Sequence, residues 1–142
     1  MFRLLLGATI LASVTGGIAC ADAAMPGAAK PLDAIPFAAD PDVACLQSAL
    51  ETGNPETGPS TWILKAPPGC LVPWHSHTAE EQMMLVAGRL LAEMTDHPPT
   101  LLGPGGFAVM AGHQAHQFTC QGTGPCVMFV TFDRAYDIQW GK

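Results

Sequence analysis

From Ser60 onward the chain is a series of short apolar or alternating runs. They are Ser60–Lys65, Leu71–His77, Glu81–Val86, Arg89–Thr95, Phe107–Met110, His116–Cys120, Val127–Phe132 and Tyr136–Trp140, with Gly, Pro and Asp punctuating them. None is long enough for an ordinary helix, and several alternate with the period of two that marks a half-buried strand. Many short strands at close spacing predict an all-β sandwich or barrel. A double-sheet jelly roll closes most edges and leaves an interior pocket. The stretch Val43-Ala-Cys-Leu-Gln-Ser-Ala-Leu-Glu51 has the local propensity for a short helix but also fits a strand, and Gly53–Pro59 is a loop by composition.

Alternation also sorts faces. If Glu81 points inward, so do Met83 and Leu85, and Gln82 and Met84 point out, where they become candidates for a contact between subunits. If His116 points inward, so do Phe118 and Cys120. The interior is then mostly apolar around one polar cluster, as small-molecule sites commonly are. Taken singly, each Met or Phe is better explained as core.

The chain opens with one positive residue, Arg3, then an apolar run and small residues. This pattern predicts a secretory signal peptide over 1–23, ending near Ala21-Asp22-Ala23 or Ala19-Cys20-Ala21. A membrane anchor and a lipid anchor at Cys20 are the alternatives. Residues 24–41 are rich in Ala and Pro and are expected to be a flexible lead-in, leaving 42–142 as one domain. Nothing else in the sequence is apolar for long enough to span a bilayer. The expected location is the periplasm or the medium.

Charge narrows the partners. The net charge is −6, and cleavage after residue 23 leaves it unchanged because Arg3 and Asp22 are lost together. With no basic cluster, the chain is not built for nucleic acid. Export changes the reading of the cysteines. Four of the five, Cys45, Cys70, Cys120 and Cys126, remain if Cys20 is removed or lipidated. An even number in an oxidising compartment suggests disulfides. Cys120 and Cys126 flank the turn Gln-Gly-Thr-Gly-Pro, which leaves Cys45 for Cys70; four buried thiols are the alternative.

The candidate chemistry lies in Gly69-x5-His75-x-His77-x3-Glu81-x6-Gly88. His75 and His77 sit two residues apart on one strand, so both can reach one point. Glu81 follows after a short turn, where a returning strand can aim its carboxylate at the same place. Glu80 is the less favoured acid. A fourth ligand is expected from the second half, His116 ahead of His113, because His116 opens a strand; His97 lies apart. Imidazoles with one carboxylate suit a divalent first-row ion such as iron, manganese, nickel, copper or zinc. Such a set leaves positions open for a small-molecule substrate, with Glu81 offsetting part of the charge and serving as the one candidate catalytic residue. The sequence offers no second constellation: one Tyr, no Ser nucleophile motif and no nucleotide-binding Gly-rich loop.

The first motif resembles that of the cupin superfamily at every defining position. The second, Gly106-x5-Gly112-x3-His116, resembles its second motif loosely: Met110 stands in place of proline, the histidine falls one residue late, and the closing asparagine is absent. The resemblance covers most of the chain after about residue 42. It implies a cupin-type double-stranded β-helix that begins with a strand near Val43, and a homodimer. It leaves three readings of function: an oxygen-using oxidoreductase or dioxygenase acting on a small organic molecule, a non-catalytic binding or sensing module, and a metal-dependent isomerase or lyase.

Overall fold

The computed structural model describes residues 27–142, so the signal peptide reading and Cys20 lie outside the described residues. The described strands all lie in one compact unit, Pro31–Lys142. These are β1 (Ala38–Ala39), β2 (Gln47–Gly53), β3 (Ser60–Ala66), β4 (Leu71–Ser76), β5 (Glu81–Ala87), β6 (Arg89–Met94), β7 (Thr100–Leu102), β8 (Phe107–Met110), β9 (His116–Gln121), β10 (Cys126–Phe132) and β11 (Gln139–Trp140). No helix among the described residues is long and apolar enough to cross a membrane.

Two antiparallel sheets face each other in a jelly roll. One has the order β1-β2-β3-β10-β5-β8 and the other β11-β4-β9-β6-β7. From β3 to β6 each successive strand changes sheet. The two sheets therefore bury a single interior, lined by alternate residues of each strand. On β5, Glu81, Met83 and Leu85 are buried while Gln82, Met84 and Val86 are exposed. On β9, His116, Phe118 and Cys120 are buried. Met83, Leu85, Leu90, Met110 and Val130 form the most enclosed part of the core. Each such side chain contributes about 1.5–3 kcal/mol of transfer free energy, as an upper bound.

The connection from β5 to β6 is a single residue, Gly88, at φ +91°. Only glycine adopts this conformation without strain. A Cβ there would also lie 2.6 Å from the Pro125 carbonyl oxygen.

Both disulfides form. Cys45–Cys70 has a Cα separation of 5.7 Å and Cys120–Cys126 one of 5.8 Å. The second bond spans its turn as expected, but β9 and β10 belong to opposite sheets, so it ties the sheets together instead of closing a hairpin. The first fastens the segment before β2 to the start of β4. Such bonds suit an oxidising environment.

The structure departs from the sequence pattern in places. The segment from Val43 becomes strand only at Gln47, where pairing with β3 overrides local helix propensity. In the lead-in, a 3-10 turn occupies Leu32–Ala34, and β1 pairs with β2. β1 and β7 have only two and three residues, too few for a periodic signal. The run Tyr136–Trp140 is strand only at Gln139–Trp140, because Tyr136 and Asp137 are turned toward the interior and toward Thr78.

Candidate metal centre

The structure brings His75, His77, Glu81 and His116 together. Each offers one donor atom, all four donors lie within 4.8 Å of one another, and all four residues are buried. Pairing explains why. His75 on β4 stands directly opposite His116 on β9, which places both rings on the inner face of one sheet. Their centroids are 4.2 Å apart. His77 falls just past the end of β4, so it is the first residue of the turn and not part of the strand. Glu81 opens β5 in the opposite sheet, paired with Phe132 and Met110. The donors thus converge from both sheets.

The turn from Thr78 to Glu80 is fastened at both ends. The Asp137 carboxylate accepts the Thr78 backbone N–H and hydroxyl, each at 2.7 Å. Asp133 accepts the Glu80 N–H at 2.9 Å. The Glu80 carboxylate accepts from Gln82 at 2.8 Å and so takes no part in the cluster. His113 is likewise outside it: exposed, at φ +66°, in the turn before β9.

Each ring is oriented by a backbone carbonyl. His75 Nδ1 meets the Pro73 oxygen at 2.7 Å and His116 Nδ1 the Gln114 oxygen at 2.8 Å. His77 Nδ1 meets the Asp137 carbonyl. A carbonyl only accepts, so Nδ1 carries a proton in all three, and Nε2 points inward and offers its lone pair whenever the ring is neutral. Glu81 Oε2 lies 3.2 Å from both His77 Nε2 and His116 Nε2. With the rings neutral, Glu81 Oε2 and His116 Nε2 are buried without a hydrogen-bond partner. Orphaned buried polar atoms are costly. A divalent cation at the point where these lone pairs converge satisfies them together, so the residues present fit a metal.

The electrostatics agree. Burial pushes the Glu81 carboxyl up, but the imidazoles of His116 and His77 outweigh it and hold it down to about 2. Burial, with help from His116, lowers His75 to about 4. Burial pulls His77 down as well, but the Glu81 carboxylate beside it wins and raises it. Without metal, Glu81 thus favours a second proton on His77, at the Nε2 that faces it, whereas His75 is neutral at neutral pH. An entering ion needs the His77 lone pair and must displace that proton. Binding is therefore expected to release protons and to weaken by up to about tenfold per pH unit as pH falls below the raised His77 value. Calorimetry in buffers of different ionisation enthalpy measures the release.

A cavity of about 390 Å³ opens beside His75, His77 and Glu81. His116 does not line it and closes the centre from behind. Leu64, Val72, Met83, Phe118, Met128 and Phe132 line it, with Trp62 and Tyr136. Burial and then the charges of Asp42 and Asp40 push the Tyr136 hydroxyl up, so it stays protonated. The sequence pattern pointed to Met83 and Phe118 but not to Trp62, Tyr136 or Asp137. Asp137 reaches His77 across 60 positions, and no spacing rule shows such a contact. That Tyr136 is the chain's one tyrosine was the available hint.

A family model for the cupin domain matches residues 62–132. Solved structures share the fold. The polyketide cyclase RemF from Streptomyces resistomycificus is 13% identical with a TM-score of 0.68, over 82% of this chain and 87% of that one. KdgF from Halomonas sp. is 18% identical with a TM-score of 0.60, over 73% and 93%. The DMSP lyase DddQ from Ruegeria pomeroyi DSS-3 is 24% identical with a TM-score of 0.56, over 63% and 47%. The chain thus spans about half the length of that lyase. No curated protein matches by sequence.

Proposed function

Because the chain belongs to the cupin superfamily, we propose that it is an exported metal-dependent cupin, an oxygen-using oxidoreductase acting on a small organic molecule. One observation carries this reading: four buried donors converge at the end of an apolar cavity. His75, His77, Glu81 and His116 would hold the ion, which supplies Lewis acidity or one-electron chemistry when bound. Fixed carbonyl partners keep the three rings aimed inward. Glu81 lowers the net charge of the centre. The apolar lining excludes water from the bound molecule, and the protonated Tyr136 hydroxyl can donate a hydrogen bond to it. Export is supported by the two disulfides.

A second reading, a binding or sensing module, is favoured by the lining itself. Apart from the cluster and the carboxylates of Asp40 and Asp42, Tyr136 is its one titratable residue. Oxygen consumption by metal-loaded protein across phenolic, thiol and organic-acid substrates separates the two. Turnover supports the oxidoreductase; tight binding without turnover under any metal supports the module.

The same reading includes a homodimer through the outer face of the larger sheet. Met84, Phe107 and Phe129 form a cross-strand row there, flanked by Val86 and Val109, and all five are exposed. The outward residues of β5, β8 and β10 include no acid, although the chain carries −6. This is a face on which two acidic copies can approach, and an isologous contact places like on like. Light scattering at micromolar concentration is expected to give twice the chain mass, and Met84→Lys to return it to monomer.

A further inference from the structure

We propose that the cavity takes a ligand with one metal-binding oxygen end and a mostly apolar body, and that it rejects ligands carrying an anionic group away from the metal. The inference deepens the reading above and rests on the metal centre lying at the cavity's inner end.

A carboxylate has two oxygens that accept several hydrogen bonds, and burying it without donors or a cation is strongly unfavourable. Among the described residues, no lysine or arginine lines the cavity. Arg134 is spent on Asp133 at 2.6 Å, and Lys65 lies over the Phe37 ring, 5.7 Å from its centroid. Side-chain donors are as scarce. The Trp62 indole N–H already donates to Ser60 at 3.0 Å, leaving the hydroxyls of Ser48 and Tyr136. The walls between the metal ligands and the mouth are side chains such as Val72, Met83, Phe118 and Phe132.

The charges that are present have the wrong sign for an anion. Asp40 and Asp42 line the cavity. The Asp40 carboxylate accepts the N–H groups of Asp42 and Val43, both at 3.0 Å, which fixes this acidic turn in place. The Cys45–Cys70 bridge then ties the same segment to β4, the strand that carries His75. At the inner end a divalent ion and Glu81 together leave one positive charge, enough to attract one oxygen-bearing head. A second anion on the same molecule would meet apolar walls, the carboxylates of Asp40 and Asp42 and at most two hydroxyls, with no cation to balance it. The volume of about 390 Å³ is at the small end of ligand cavities, which suits a compact ring-bearing molecule.

The test uses three ligands with one metal-binding head and different tails: 4-methylcatechol, dopamine and 3,4-dihydroxyphenylacetate. Affinities are measured by calorimetry under nitrogen on the purified protein, metal-free and zinc-loaded. The acid is expected to bind at least about tenfold more weakly than 4-methylcatechol in both states, with dopamine binding no more weakly than 4-methylcatechol. Asp40→Asn with Asp42→Asn keeps the accepting oxygen at residue 40 and should narrow the gap. Equal affinities, a reversed order, or no binding of 4-methylcatechol at millimolar concentration in either state would overturn the inference. An unchanged gap in the double variant would remove the two aspartates from it. Failure to take up zinc would instead sink the metal reading, and the metal-free series would still report the preference.

Discussion

Glu81→Gln is expected to bind a divalent ion at least about 100-fold more weakly than the native protein, roughly 2.7 kcal/mol. Glutamine keeps the size of the side chain and removes the one negative charge among the four donors. The same change should be visible without metal. His77 is raised because the Glu81 carboxylate beside it, with the carbonyl and carboxylate of Asp137, outweighs burial. In the variant only Asp137 opposes burial, so the His77 pKa should fall, which NMR titration of the imidazole signals reads directly. Stability follows with a defined sign. The raised His77 contributes stability that is full below 6.5 and lost as pH rises through its folded value. The lowered Glu81 contributes stability that is full above 4.5 and lost as pH falls through about 2. Both are present between 4.5 and 6.5. There the metal-free variant should be less stable than metal-free native protein by about 2–3 kcal/mol, and denaturant unfolding across pH measures it. A constant difference from pH 4 to 8, with His77 unmoved, would rule out the coupling.

Gly88→Ala is expected to be the most damaging single-methyl change in the chain's motif. The residue sits at φ +91°, and its new Cβ would meet the Pro125 carbonyl oxygen at 2.6 Å and the Cys126 Cα at 2.9 Å. Those are backbone atoms held by β10 and by the Cys120–Cys126 bridge, so they cannot swing aside. A loss of about 4 kcal/mol is expected, lowering Tm by roughly 10 °C or more. Gly69 is the control. It has a similar φ of +82°, but nothing lies within 4 Å of its Cβ position. Gly69→Ala should therefore cost only the conformational penalty, about 1 kcal/mol. Thermal unfolding of both variants checks the contrast, and equal losses would show that the close approach at Gly88 is relieved.

These two glycines show how far the chain is legible without coordinates. Both read as turn residues bracketing the histidines, but nothing in the sequence distinguishes a turn in open space from one pressed against another strand. The same boundary runs through the centre. His75 and His77 could be placed together because two residues is the period of a strand. Glu81 could be set above Glu80 by motif spacing. Choosing His116 over His113 needed the strand after it, and the structure adds the reason: His116 pairs opposite His75, while His113 turns outward at φ +66°. Alternation predicted the inward faces of β5 and β9 because each strand has one buried side. It could not show that β9 and β10 lie in opposite sheets, since a disulfide across a short turn fits either arrangement. The partners of the imidazoles were the least legible. Two are carbonyls two residues upstream, and the third is Asp137, delivered by a segment whose irregularity is what lets it reach the turn at Thr78.

The measurement that bears most directly on the account is the metal content of purified protein, native and His75→Ala with His77→Ala, after loading with a divalent ion and removal of excess. Circular dichroism first establishes that both are folded. Elemental analysis is expected to find about one ion per native chain and close to none in the double variant, because the variant loses two of the four donors gathered within 4.8 Å. Equal metal in the two proteins, or none in the native one at any pH above the His77 titration, would contradict the centre on which the proposed function stands.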